Sequence, residues 1–135
     1  MSEKKRHTIL CVDDDPDDLQ LLQEAFKAVG SEYRIIEARD GEDALVFLRE
    51  RKASGDLPCL VILDINMPKV DGKQTLLSIQ SDSQLSAIPV VIFSTSSSLM
   101  DKMFFTRRKV EFFTKPINFD QFYEVAAKFL NFCKQ

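Results

Sequence analysis

The sequence is poor in the features that mark a secreted, membrane-bound or disordered chain. No apolar run approaches the roughly 18 to 20 residues of a membrane-spanning helix, and the basic start at Met1–Arg6 lacks a signal peptide's apolar segment. Tryptophan is absent, and four glycines and five prolines are too few for a low-complexity chain. The three cysteines show no Cys-x-x-Cys spacing, so we expect Cys11, Cys59 and Cys133 to be free buried thiols. We therefore expect a cytoplasmic globular protein that does not contact a membrane.

The charge balance argues against one class of partner. With 18 basic and 21 acidic residues the formal net charge is −3, the opposite of the basic footprint that a nucleic-acid binder carries. We expect no direct DNA binding. A length of 135 residues fits one ordinary domain, and we expect a single domain over residues 1–135 without a second one.

Short apolar runs alternate with amphipathic segments along the whole chain. The predicted strands are Thr8–Val12, Tyr33–Ala38, Leu60–Leu63, Pro89–Phe93 and Val110–Phe113. The third run is wholly apolar, as is typical of a strand covered on both faces, whereas the second mixes polar residues and fits a sheet edge. Five alternating strands and helices predict a three-layer α/β sandwich, a (βα)5 unit built on a parallel sheet.

Polar side chains follow four of these five predicted strands. They are Asp13 and Asp14 after the first, Asp64 after the third, Ser94 after the fourth and Lys115 after the fifth. Ligands of open parallel sheets bind beyond the carboxyl ends of the strands, so we expect these side chains to meet at one edge.

The aspartates after the first strand do not all need a functional explanation. Asp15 suits a helix N-cap, Pro16 suits the first helical position, and Asp17 and Asp18 complement the positive end of the helix dipole. Asp13 precedes the cap, as does its neighbour Asp14, so capping leaves both unexplained.

The predicted cluster of carboxylates requires a cation. Asp13, Asp14 and Asp64 would repel one another by about 1 to 4 kcal/mol per close pair. Hard oxygen ligands without histidine or cysteine indicate Mg²⁺, which commonly takes a phosphate oxygen as a further ligand. Lys115 offers a positive charge and Ser94 a hydrogen-bond donor, and both suit a phosphoryl group carried on the Asp64 carboxylate.

These motifs, in this order, identify a resemblance that covers the whole chain. They are Val12-Asp13-Asp14, Leu63-Asp64, Met67–Gly72, Ser94 and Lys115-Pro116. The sequence resembles the receiver domain of two-component response regulators. This resemblance implies a flavodoxin-like sheet in the order 2-1-3-4-5.

The resemblance also implies a role for each matching residue. Asp64 would be the phosphoacceptor, and the metal would be held by Asp13, Asp14, Asp64 and the backbone carbonyl of Asn66. Lys115 would contact the phosphoryl group.

A switch is implied as well. Ser94 and Phe112 would be its hydroxyl and its aromatic ring, and the Lys115–Pro116 bond would be cis. Thr95 departs from the small residue that usually follows the hydroxyl, and Arg107-Arg108-Lys109 departs from the usual small-residue turn.

The partners implied by the resemblance are proteins. The only histidine, His7, is expected on an N-terminal arm, so the phosphoryl donor would be a sensor histidine kinase or a histidine phosphotransfer protein. We expect no enzymatic activity beyond the chain's own phosphorylation and dephosphorylation, and no output domain.

The signal would then leave through a surface formed by the fourth helix, the fifth strand and the fifth helix. That surface would bind an unknown downstream protein or form a homodimer. More narrowly, the Asp13–Asp18 run and Leu57-Pro58 are similar to the small regulators paired with bacterial phytochrome kinases.

Two alternatives use the same acidic residues. In a calcium-binding EF-hand loop, Asp13, Asp15, Asp17 and Glu24 would occupy positions 1, 3, 5 and 12, but Asp18 stands where that loop needs glycine. A haloacid dehalogenase-like phosphatase would also use Asp64 as nucleophile, but its second aspartate would have to be Asn66. A flavodoxin-like cofactor binder is disfavoured because the aspartates after the first strand would repel a phosphate.

Overall fold

The computed structural model describes residues 7–30 and 32–133. Its strands are β1 (His7–Val12), β2 (Tyr33–Ala38), β3 (Leu60–Leu63), β4 (Val90–Ser94) and β5 (Glu111–Thr114). Its helices are α1 (Pro16–Val29), α2 (Gly41–Ser54), α3 (Gly72–Gln80), α4 (Leu99–Arg107) and α5 (Phe119–Cys133), with a 3-10 turn at Leu85–Ala87. No helix among these residues combines the length and the apolar character needed to cross a lipid bilayer.

All strand pairs are parallel, and the strand order is β2-β1-β3-β4-β5. The predicted (βα)5 sandwich with order 2-1-3-4-5 is therefore confirmed, as is the edge position of β2. Every residue of the central β3 is buried, because helices cover both faces of the sheet.

Each face of the sheet has its own apolar core. One core joins the sheet to α2, α3 and α4, and the other joins it to α1 and α5. In the second core the Phe93 ring meets Phe122 and Phe129 edge-on, at centroid distances of 5.7 and 5.4 Å.

Local sequence explains where the helices begin. Asp15 precedes α1 and accepts a hydrogen bond from Asp17 N, with Pro16 at the first helical position. α4 ends at Arg107, because Lys109, just after the C-cap residue, adopts a left-handed conformation with φ 61°. β4 and β5 each lie one residue further along the chain than predicted.

The expectation of three free cysteines is wrong for two of them. Cys59 and Cys133 form a disulfide with a Cα–Cα distance of 4.9 Å, and Cys11 alone is free and buried. The two cysteines are 74 residues apart in sequence, but α5 brings its last turn back to the start of β3. Sequence spacing cannot show such a meeting, because it depends on how the helix docks on the sheet.

Two smaller expectations also need correction. His7 does not lie on an arm. It is the first residue of β1 and pairs with Tyr33 of β2, and the centroids of the two rings are 5.9 Å apart. The described residues contain no cis peptide bond, so the bond between Lys115 and Pro116 is trans, the form that proline bonds favour by about 0.5 to 1 kcal/mol.

Candidate functional site

The carboxyl ends of four strands meet at one edge of the sheet. The backbone N–H of Asp64, just after β3, donates to Val12 O of β1 at 3.0 Å, and that of Lys115, just after β5, donates to Ser94 O of β4 at 2.9 Å. These hydrogen bonds bring the residues that follow the four strands side by side. Asp13, Asp64, Ser94 and Lys115 are all buried, whereas Asp14 is exposed. The predicted convergence of these residues at one edge is therefore present.

The Asp64 carboxylate is held by its own backbone neighbourhood. Ile65 N donates to Asp64 Oδ1 at 2.8 Å, which leaves Oδ2 facing Lys115. Gly72, the first residue of α3, donates from its backbone N to Ile65 O at 2.8 Å. A Cβ at Gly72 would overlap the carbonyl oxygen of Asp64 and approach Ile65 Cα to 2.7 Å, so only glycine allows α3 to begin this close to the site.

Three carboxylates lie close enough together to bind one cation. Asp13, Asp14 and Asp64 each offer an oxygen, and these atoms lie within 4.8 Å of one another. An all-oxygen donor set of this charge fits a hard divalent cation, which would also relieve the repulsion among the carboxylates. Asn66 is exposed, two residues after Asp64.

Lys115 connects three carboxylates. Its Nζ lies 2.7 Å from Asp13 Oδ2, 2.7 Å from Asp18 Oδ2 and 3.4 Å from Asp64 Oδ2. The contacts with Asp13 and Asp64 agree with the expected cluster. The contact with Asp18 was missed, because Asp18 already had a sufficient explanation in the helix dipole. Its position one helical turn before the buried Leu22 is the signal that could have revealed it.

Burial and charge act in opposite directions on these groups. Burial raises the pKa of Asp13 to about 6, even though hydrogen bonds from Lys115 and from Asp15 N favour the ionised form. Burial alone would lower the pKa of Lys115, but the hydrogen bonds to Asp13 and Asp18 and the charge of Asp64 outweigh it and raise the pKa. Lys115 therefore stays charged at neutral pH.

Ser94 begins a chain of polar contacts that leaves the site. Its Oγ accepts a hydrogen bond from Ser96 N at 3.3 Å, and Ser96 Oγ donates to Asp101 Oδ2 at 2.7 Å. Lys73 Nζ lies 2.7 Å from Asp101 Oδ1. The end of β4 is thus connected through α4 to the start of α3.

Phe112 lies on β5, which pairs with β4, the strand that ends at Ser94. Its half-buried ring packs against Phe105, with centroids 6.2 Å apart, and the Lys102 Nζ lies 5.8 Å from the ring centroid. The ring therefore sits between the apolar core and the surface of α4.

The structure argues against the calcium alternative. Residues 16–29 are helical, so Asp17 and Glu24 lie on α1 and not in a calcium-binding loop. Among the described residues, the carboxylates that gather are Asp13, Asp14 and Asp64.

A doubly wound parallel sheet with a lysine and an acidic cluster at its carboxyl edge fits a phosphoryl-accepting signalling domain. Residues 9–127 match the family model of the response regulator receiver domain. The chain belongs to this family, in which an aspartate accepts a phosphoryl group from a histidine kinase. The phosphatase and calcium alternatives find no support.

Two cyanobacterial proteins are among the similar solved structures. The phosphorylated phytochrome response regulator RcpA is 33% identical, with a TM-score of 0.85 over 94% of this chain and 93% of that one. The Mn²⁺-bound form of Rcp1 is 31% identical, with a TM-score of 0.81 over 90% of each chain. The predicted similarity to small phytochrome response regulators is therefore confirmed.

Sequence comparison gives similar relatives. Rcp1 of Synechocystis sp. is 38% identical over 90 residues, which are 65% of this chain and 61% of Rcp1. The probable methanogenesis regulatory protein FilR2 of Methanothrix harundinacea is 38% identical over 114 residues, 83% of this chain and 74% of FilR2.

Proposed function

We propose that Asp64 accepts one phosphoryl group and that Mg²⁺ is held by the carboxylates of Asp13, Asp14 and Asp64 with the backbone carbonyl of Asn66. The observation that carries this proposal is the acidic group within 4.8 Å, with Lys115 Nζ 3.4 Å from Asp64 Oδ2. Mn²⁺ in Rcp1 supports a divalent cation in a related protein.

The residues divide the chemistry among themselves. The Asp64 carboxylate attacks phosphorus, so that an O–P bond forms while the bond to the donor nitrogen breaks, and the donor imidazole keeps the electron pair of the broken bond. Ile65 N fixes the rotamer of the attacking carboxylate, and Lys115 supplies positive charge for the transferred phosphoryl oxygens. A bound Mg²⁺ would neutralise further charge on those oxygens. Ser94 would donate a hydrogen bond to one of them after transfer.

The proposed phosphoryl donor is a sensor histidine kinase or histidine phosphotransfer protein, and similarity to RcpA and Rcp1 favours a kinase of the phytochrome type. Residues 1–135 would act as one receiver unit.

The proposed output surface is formed by α4, β5 and α5. Exposed apolar side chains lie on or beside it: Leu99, Met100, Met103, Ile117 and Phe119. Burial of these side chains against a downstream protein or a second copy would stabilise the complex. This surface also adjoins Ser94 and Lys115, so a change at the site can reach it.

The test is phosphorylation by acetyl phosphate, followed by intact mass. The wild type should gain one phosphate when Mg²⁺ is present and none in EDTA, and Asp64→Asn should gain none. Asp43→Asn is the control, because Asp43 is an exposed aspartate of α2 outside the acidic group. Labelling that persists in Asp64→Asn, or that EDTA does not reduce, would overturn the proposal.

A further inference from the structure

Asp18 makes a contact that the proposed chemistry does not use. Its Oδ2 lies 2.7 Å from Lys115 Nζ, which is as close as Asp13 Oδ2 and closer than Asp64 Oδ2 at 3.4 Å. The Lys115 side chain is 7% exposed and that of Asp18 is 21% exposed, so water screens this pair only in part. The contact joins residues 97 positions apart in sequence.

The start of α1 fixes the position of Asp18. The Asp15 cap and Pro16 set where the helix begins, and the buried Leu19 and Leu22 fix which face of α1 turns toward the sheet. Asp18 therefore reaches Lys115 from the first turn of α1, whereas Asp17, the adjacent residue in the same turn, is exposed.

An ammonium group has three N–H donors, and three carboxylates surround that of Lys115. A phosphoryl group on Asp64 would add further negative charge and three acceptor oxygens, which would compete with the present carboxylates for the N–H groups of Lys115. Asp13 and Asp64 belong to the acidic group that fits a cation, whereas Asp18 does not. Asp18 thus competes for Lys115 without belonging to that group.

We propose that Asp18 is a positioning residue that holds the Lys115 ammonium on the α1 side of the pocket and so shortens the lifetime of the phosphoryl group on Asp64. This inference rests on the proposed function. Loss of the Asp18 carboxylate frees Lys115 for the phosphoryl oxygens. The phosphorylated form is then stabilised, and its hydrolysis becomes slower.

The kinetic experiment compares Asp18→Asn with Asp17→Asn. Both variants remove one negative charge from the first turn of α1, but only Asp18→Asn removes the contact with Lys115. After labelling with acetyl phosphate and removal of the reagent, we expect hydrolysis in Asp18→Asn to be about threefold to tenfold slower than in Asp17→Asn. Asp18→Glu keeps the carboxylate and should restore most of the wild-type rate.

A second measurement does not depend on phosphorylation. In the metal-free protein, ¹H–¹⁵N NMR of lysine ammonium groups should show a Lys115 signal protected from exchange with water, because the group is buried and paired. This signal should shift or broaden in Asp18→Asn and remain unchanged in Asp17→Asn. Thermal unfolding of the three variants checks that each is folded.

The outcomes are distinct. Equal hydrolysis rates in Asp18→Asn and Asp17→Asn would overturn the inference, because the loss of one nearby charge would then explain any change. Faster hydrolysis in Asp18→Asn would overturn it as well. Failure of the wild type to be labelled at Asp64 would refute the proposed function, and the Lys115 signal would still decide whether Asp18 holds the ammonium group.

Discussion

Gly72 shows how one missing side chain sets the geometry of the site. Its position requires close approach to the backbone of Asp64 and Ile65, and neither backbone atom can move aside as a flexible side chain would. We expect Gly72→Ala to reduce the free energy of unfolding by about 1 to 3 kcal/mol, as overpacking does. Phosphoryl uptake should fall by more than the loss of folded protein explains, because the added Cβ would displace the backbone of Asp64, the residue proposed to accept the phosphoryl group.

The matched variant for this comparison is Gly55→Ala. Gly55 has φ 77° at the end of α2, and a Cβ there meets no atom within 4 Å. Its replacement should cost stability through backbone strain alone and leave uptake at Asp64 unchanged. Urea unfolding and acetyl phosphate labelling of both variants are the measurements, and equal labelling in the two would contradict the role given to Gly72.

Single residues also show what the sequence could predict about the site. Asp13, Asp64 and Lys115 follow recognisable strands, and the geometry of a parallel sheet gathers such residues at one edge. The contact between Asp18 and Lys115 was not predicted, because it depends on the docking angle of α1 against the sheet. A residue with one adequate local explanation, such as helix capping, can also have a tertiary role.

At the scale of elements, the loop from β4 to α4 joins the site to the proposed output surface. Ser94→Ala should still accept a phosphoryl group at Asp64, because the attacking carboxylate remains. Uptake should be slower, because the hydrogen bond that the Ser94 hydroxyl would donate to a phosphoryl oxygen is lost. The variant should fail to transmit the change to α4 and β5. The measurement is ¹H–¹⁵N NMR of residues 99–116 before and after addition of beryllofluoride, with wild type alongside.

That experiment separates chemistry from transmission. Full chemical-shift changes over residues 99–116 in Ser94→Ala would show that Ser94 does not couple the site to α4. Ser98→Ala is the control in the same loop, since Ser98 caps α4 through Asp101 N and makes no contact with Ser94 that the structure shows. It should weaken the start of α4 and still respond to beryllofluoride.

The contact between Asp82, which follows α3, and Lys52 of α2 should make the stability of the fold depend on pH. Asp82 follows α3 and accepts hydrogen bonds from Lys52 of α2 and from the backbone N–H groups of Leu85 and Gln84, which lower its pKa to about 2. Because this pKa is depressed in the folded state, the contribution of Asp82 to stability is present above pH 4 and is lost as pH falls toward 2.

Asp82→Asn should therefore be less stable than wild type at pH 6, and the difference should disappear near pH 2. Thermal unfolding between pH 2 and 6 gives this comparison. Lys52→Met should reproduce part of the effect, since the two backbone donors remain. A constant difference between Asp82→Asn and wild type across this range would contradict the assignment.

For the whole molecule, the alternation of strands and helices predicted the topology, because a parallel sheet needs crossover connections of this kind. It could not predict the Cys59–Cys133 disulfide. That bond depends on where the last turn of α5 meets the start of β3, which is a property of the packed molecule and not of any segment.

The disulfide should contribute strongly to the stability of the whole domain. It closes a loop of 74 residues, and the chain-entropy relation gives roughly 4 kcal/mol for such a loop. The double variant Cys59→Ala with Cys133→Ala should unfold at lower urea concentration, whereas Cys11→Ala should lose only the packing of one buried side chain. Thiol counting in unfolded, unreduced protein should find Cys11 alone, and three reactive thiols would contradict the assignment.

The same bond determines how the molecule would respond to a pulling force applied at residues 7 and 133. With Cys59 joined to Cys133, tension passes through the bond, and only the chain between residues 7 and 59 can extend, to about 180 Å. After reduction the extension would reach about 440 Å. Under load, the intact bond lets Asp13 leave with β1, while Asp64, Ser94 and Lys115 lie inside a loop that carries no tension.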